Sequence, residues 1–333
     1  MKLKINLSTS PHSVKIEMQK VDICKVKGYS FKIKIRNMAD ILCQNGELMS
    51  IQIITDSAAD YTMEELKRRG IQCVPMSVSF GEEHYIDGVT LTKEMFYDKL
   101  MNSKETPKTA QPSPAEFLDK FEAAKDAGDT VIAILVSSAL SGTYQTAMMA
   151  KNMVEYDNIY IVDSRSATLG MRLLTDIAVN LRDQGAAAKE IVDKLEELKK
   201  KIRIYAGLDT LEYLYKGGRI SKGVASIGAL ANIKPLVTFT SEGTVELCGK
   251  QVGIRHAIKQ VAKLVDADKP DERYPVYYLY SYDRGNVAGF IRALEKTGFV
   301  VENPKIREIG PTIGSHIGPE AFGIVYVSHN DIC

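Results

Sequence analysis

The chain has 333 residues, enough for about two domains at roughly 150 residues each. Hydrophobic residues make up 45% and charged residues 26%, a balance that excludes a mainly disordered, collagen-like or disulfide-scaffold chain. Its 43 basic and 42 acidic residues leave a net charge of +1, so no global field draws it to nucleic acid.

No apolar run approaches the ~18 residues of a membrane span, and residues 1–10 (MKLKINLSTS) lack the apolar stretch of a secretory signal. Cys24, Cys43, Cys73, Cys248 and Cys333 are scattered and form no CxxC. Reduced thiols in a cytoplasmic protein, with no metal site, fit that spacing.

Residues 1–48 carry nine Lys or Arg against four Asp or Glu, a net of +5, and form an N-terminal extension unlike the rest. The alternation at 29–35 (YSFKIKI) suits a strand. From residue 51 short apolar runs alternate with amphipathic ones. Strands are predicted at 51–55, 73–80, 130–138 and 158–163. Thr62-Met-Glu-Glu65 and Ser113-Pro-Ala-Glu116 are helix starts, the second with Pro at the first helical position. Helices ending at Gly70 and Gly128, and helices at 143–156, 166–184 and 186–201, fill the intervals. Strand–helix alternation of this kind gives a mostly parallel sheet flanked by helices.

Beyond residue 201 the texture changes. A short strand at 202–207 precedes a helix at 208–216 that stops at Gly217-Gly218. A hairpin at 235–248 turns at Glu242-Gly243. A helix at 254–265, a strand at 275–281, a helix at 286–297 and a strand at 321–327 complete a second α/β domain with an antiparallel element. The domains are expected at 50–205 and 206–328.

GxGxxG, Walker A, HExxH, GxSxG and EF-hand patterns are all absent. Hydroxyls instead crowd the predicted strand ends: Thr55-Asp56-Ser57, Ser137-Ser-Ala-Leu-Ser-Gly-Thr143 and Asp163-Ser164. Ligands of parallel sheets bind at such ends, and a helix start there favours an anion. Equally, Ser and Thr are ordinary helix caps. Thr109 and Gln111 precede a helix cap without being needed for it. Arg219 follows a glycine pair in a tight turn. His316 lies in the glycine- and proline-punctuated stretch 310–319, read as a loop.

These motifs, in this order, resemble the DegV family of bacterial fatty-acid-binding proteins. The matching stretches are Ile54-Thr-Asp-Ser57, Thr109-Ala-Gln-Pro-Ser113, Ser137 to Thr143, Val162-Asp-Ser164, Leu211-Glu-Tyr-Leu through Arg219-Ile220, Lys234-Pro235 and Ile313 to Pro319, spanning about residues 50–328. The resemblance implies a two-domain α/β protein that buries a long-chain fatty acid between its domains. It also implies no catalysis of its own. The acid's carboxylate is presented to a separate ATP-dependent fatty acid kinase subunit, and the resulting acyl phosphate feeds phospholipid synthesis. Carried over by residue, Thr109 and Ser141 hold the carboxylate with the Gly142 N–H beside them, and His316 is a further polar contact. Arg219 and the more loosely matched Arg255 serve kinase docking or phosphotransfer. No cofactor or metal is implied. The family loop often has Ser where this chain has Ala110, while Thr109 is kept.

Two other readings stay open. One is an enzyme similar to dihydroxyacetone kinase, using His316 as base or covalent residue at a small polar ligand. The other is a lipid-responsive regulator, although no helix-turn-helix or basic stripe supports DNA contact. The family pattern begins at Met49. Residues 1–48 are therefore read either as a misassigned start or dispensable extension, the preferred reading, or as a basic arm making transient contact with anionic lipid or the partner. Acyl-chain preference, oligomeric state and the tunnel walls are not fixed by these residues.

Overall fold

Strand β6 (Thr130–Leu135) is buried along its whole length. Its Val131, Ala133 and Leu135 pack with Phe117 and Phe121 of helix α3 (Pro114–Asp126) and with Ala147, Ala150 and Val154 of α4 (Thr143–Val154). Its Ile132 and Ile134 face the other way, toward Leu173, Leu174 and Ile177 of α5 (Thr168–Asp183) and Leu195 of α6 (Ala188–Leu198). Both faces are covered, so the strand needs no polar alternation. It pairs in parallel with β1 (Ile51–Asp56) and β7 (Ile159–Asp163), and β2 (Ile71–Val74) adds to β1, giving the order β2-β1-β6-β7. The computed structural model describes residues 50–221, 232–302 and 304–332, so the N-terminal extension at 1–48 and the strand expected at 29–35 lie outside the described residues.

The second sheet has six strands in the order β10-β9-β8-β13-β11-β12. These are β8 (Ile202–Gly207), β9 (Ile233–Phe239), β10 (Val245–Val252), β11 (Tyr277–Tyr280), β12 (Lys305–Glu308) and β13 (Phe322–Val327). Neighbours are antiparallel except β11 and β12, so the sheet is mixed. On β13, Phe322, Ile324 and Tyr326 pack under the helices Ile254–Ala267 and Gly285–Glu295, while Val325 and Val327 face α5. Helix α5 thus lies between the sheets, with every residue from Thr168 to Val179 buried. A third, small sheet, in the order β4 (Glu83–Ile86), β3 (Ser77–Phe80), β5 (Lys108–Ala110), packs Val78 and Phe80 of β3 on Phe96 and Leu100 of α2 (Lys93–Asn102).

The α/β class, with a parallel sheet flanked by helices and a mixed sheet, is as expected. Several elements differ. The single strand expected at 73–80 is two, β2 and β3, in different sheets. Pro75 between them has no N–H for a ladder, and the Met76 N–H is taken by the Ser57 hydroxyl. Strands β4 (Glu83–Ile86), β5 (Lys108–Ala110) and β12, and helix α2, carried too weak a pattern to be marked. The first two strands are short and polar, and β12 is an edge strand of sequence KIRE. The helix expected at 208–216 is only α7 (Glu212–Lys216). The stretch 310–319 is not a loop: Pro311–Ile317 is a helix with Pro at its start and Gly318 at φ +71° closing it. The expected domain boundary falls within β8, a strand of the second sheet.

Candidate functional site

Most of the hydroxyls at the strand ends hold the backbone together. The Thr55 hydroxyl donates to the Ile134 carbonyl, Ser164 to the Ser166 carbonyl and Ser138 to the Asp163 carboxylate. The Asp56 carboxylate accepts the Ala58 and Val136 N–H groups at 2.9 and 2.8 Å and so fastens the end of β1 to that of β6. Burial is the main cause that pushes its pKa up to about 7. Gln111, a candidate from its position, donates to Thr146 and rests on Gly142, where a Cβ would stand 2.1 Å from its Oε1. These residues build the frame.

A pocket of about 800 Å³, open mouth included, runs between the two sheets. Its floor is the inner face of the mixed sheet: Val245 of β10, Val237 and Phe239 of β9, Ile204 and Ala206 of β8, and Leu279 of β11. From β10 to β11 is four strand spacings, about 19 Å. Met76, Val136 and Ala167 close it from the side of the parallel sheet. The strand pattern explains the apolar floor, since alternate residues of β8 and β9 point to one face.

At one part of this apolar pocket sit Thr109, Ser141, Arg219 and His316. Four elements deliver them: β5, the loop between β6 and α4, the turn after α7, and the Pro311–Ile317 helix. Thr109 Oγ1 and His316 Nε2 are 2.9 Å apart. His316 Nδ1 is buried without a hydrogen-bond partner. Burial, with the Arg219 charge adding to it, pushes the imidazole down to about 4, so it is neutral at neutral pH. An orphaned buried N–H is rarer and costlier than an orphaned lone pair. The proton therefore belongs on Nε2, which donates to Thr109 and leaves the Thr109 proton for the pocket. Ser141 Oγ is 2.9 Å from Thr143 Oγ1 and accepts the Thr143 N–H at 3.4 Å. Arg219 donates through Nε to the Leu140 carbonyl at 3.0 Å and through Nη1 to the Gly217 carbonyl, bridging two walls. Burial lowers its pKa.

The structure thus brings Thr109, Ser141, Arg219 and His316 together. Gly142 stands next to Ser141 at the start of α4 but is not in the pocket wall, and Arg255 is exposed at the start of the helix Ile254–Ala267, also outside the wall. Sequence reasoning missed Thr312 and Asp87. The Thr312 N–H and hydroxyl both donate to the Asp87 carboxylate, and the Gly310 N–H donates to Asp60 at 2.8 Å. These two buried carboxylates seat the helix that carries His316. Burial pushes Asp87 up to about 6 and raises Asp60. Nothing local to Asp87 signals a partner more than 200 residues away. Among the described residues no cluster of His, Cys, Asp or Glu could hold a metal ion, and no helix is long and apolar enough to cross a membrane.

The site is an apolar pocket between two sheets that carries a small group of hydroxyl and imidazole side chains. A family model described as "Uncharacterised protein, DegV family" matches residues 50–329, and the chain belongs to the DegV family. A DegV domain-containing protein of Caldanaerobacter subterraneus is 34% identical over 276 residues, covering 83% of this chain and 98% of that protein. The structure of a DegV family protein from Thermus thermophilus, described by its fatty acid binding, superposes with a TM-score of 0.76 at 30% identity, covering 84% of this chain and all of the other. A stearic-acid-binding protein from Eubacterium ventriosum has a TM-score of 0.74 at 28% identity, covering 84% of this chain and 98% of that one.

Proposed function

We propose that this protein binds a long-chain fatty acid and presents its carboxylate to a separate ATP-dependent fatty acid kinase subunit, which makes an acyl phosphate for phospholipid synthesis. The observation that carries the reading is the apolar pocket whose wall also holds Thr109, Ser141 and His316. Its apolar floor is drawn from strands β8, β9, β10 and β11. Burying some fourteen methylenes yields about 10 kcal/mol before ordering costs. A carboxylate in so dry a site must be hydrogen-bonded. The Thr109 and Ser141 hydroxyls, with the nearby Gly142 N–H, supply donors and leave one oxygen free to attack phosphorus. Arg219 beside the head and the exposed Arg255 serve the kinase contact. The protein itself is a carrier. The fatty acids described for the Thermus and Eubacterium proteins support the ligand class, and the apolar walls argue against a small polar ligand.

Denaturing the purified protein, extracting it with solvent and analysing the lipid by mass spectrometry tests the reading. A near-stoichiometric long-chain fatty acid is expected, with its loss from the Thr109→Ala/Ser141→Ala double variant. A folded protein that holds no acyl chain and takes none up when offered refutes it. With the kinase subunit and ATP added, Arg255→Ala is expected to keep its lipid but form acyl phosphate more slowly. An unchanged rate removes Arg255 from the kinase contact.

A further inference from the structure

The two glycines after α7 are there for different reasons. Gly218 adopts φ +73° with nothing within 4 Å of where a Cβ would be, so its backbone demands glycine. Gly217 has φ −75°, open to any residue. What it lacks is room. A Cβ on Gly217 would lie 2.1 Å from His316 Nδ1 and 2.8 Å from Cε1, with the Tyr213 carbonyl 3.1 Å away. The imidazole edge therefore rests directly on the Gly217 backbone, and this is the edge on which Nδ1 is buried without a partner. The other edge, at Nε2, meets Thr109.

Resting on the fatty-acid reading above, we infer that Gly217 is a positioning residue: its bare backbone seats the His316 ring with Nδ1 against it, fixes the Nε2–H tautomer, and so commits Thr109 to donate its hydroxyl proton to the carboxylate of the bound acid. Without that seat, His316 is free to present an unprotonated Nε2. Thr109 then donates to the ring, and the carboxylate loses a donor. The ring is neutral in this arrangement, so the effect is one of proton placement and not of charge.

The test uses the full chain labelled with nitrogen-15 in histidine, and palmitate as the probe. In the unsubstituted protein the His316 signals are expected to show a protonated Nε2 and an unprotonated Nδ1. A protonated Nδ1 overturns the inference without any variant being made. Gly217→Ala is expected to move the His316 ring signals and to weaken palmitate binding about tenfold or more, the scale of one hydrogen bond to a charged group. Gly218→Ala strains the same turn without touching the ring and controls for mere disturbance of the turn. In a His316→Ala background, Gly217→Ala is expected to cost no further affinity. Ring signals unchanged by Gly217→Ala, an equal loss of affinity in the His316→Ala background, or an equal loss from Gly218→Ala each refute the role. If the unsubstituted protein takes up no palmitate, the fatty-acid reading falls, while the ring signals still decide whether Gly217 sets the tautomer.

Discussion

His316 couples the site to pH in a direction that can be worked out. Its imidazole is held at about 4 in the folded chain by burial and by Arg219, against 6.5 for an ordinary histidine. Folding favours the neutral ring, so its contribution is fully present above pH 6.5 and is lost as pH falls toward 4. By linkage this amounts to about 3 kcal/mol at most. Asp56 and Asp87 act with the opposite sign. Their raised values, about 7 and about 6, mean a contribution present below pH 3.8 and lost as pH rises through those values. The pH profile of the whole protein therefore mixes the two, and a difference isolates the histidine. Between pH 6.5 and 4 the melting temperature of the unsubstituted chain should fall more steeply than that of His316→Gln. Parallel curves would show that the ring is solvated and carries no such coupling.

At the scale of elements, the β9–β10 hairpin is pinned across the pocket. The Ser137 hydroxyl donates to the Gly243 carbonyl at 2.8 Å, and Arg165 donates to the Ser241 carbonyl at 3.1 Å. Gly243 is at φ +82°, and a Cβ there would lie 2.3 Å from Ser137 Oγ and 2.8 Å from the Arg165 Cα. Gly243→Ala should cost about 1–3 kcal/mol and raise amide exchange in β9 and β10, because Phe239 and Val245, which flank the turn, wall the pocket. Unchanged exchange would mean that the hairpin is held from elsewhere. This hairpin also shows what the sequence disclosed. Glu242-Gly243 between two apolar runs marked its turn, as the Thr62–Glu65 and Ser113–Glu116 boxes marked two helix starts, since such signals are local. Thr109 and His316 were legible as polar residues in constrained stretches. That one faces the other was not, because 207 positions separate them and β5 has only three residues. The helix Pro311–Ile317 hid behind its own glycines and prolines, although Pro311 occupies the one helical turn that tolerates it. Gly217 read only as part of a helix stop; it does cap α7, but its lack of a Cβ also makes room for the His316 ring.

Across the whole molecule, a buried ionic network ties the helices of the parallel sheet to the mixed sheet. Arg172, on α5 between the sheets, has a side chain only 3% exposed and reaches Glu65 of α1 (Met63–Arg69) at 2.6 Å. Glu65 also accepts the Thr62 N–H and lies 3.5 Å from Arg307 of β12. One turn along α5, Asp176 accepts the hydroxyls of Tyr61 and of Tyr277 on β11. Burial works to raise the Glu65 pKa, but its hydrogen bonds from Arg172 and the Thr62 N–H prevail and hold it at about 2. Its contribution is thus present above pH 4.5 and lost as pH falls toward 2. Removing one partner of a buried pair strands the other, at a cost of about 3–5 kcal/mol, whereas removing both relieves that penalty. Arg172→Ala should therefore destabilise the chain strongly to urea. Arg172→Ala/Glu65→Ala should be less destabilised than the sum of the single variants, with a coupling of about 0.5–3 kcal/mol. Strict additivity would show that the two charges are screened by solvent and that α5 is held between the sheets by its apolar face alone.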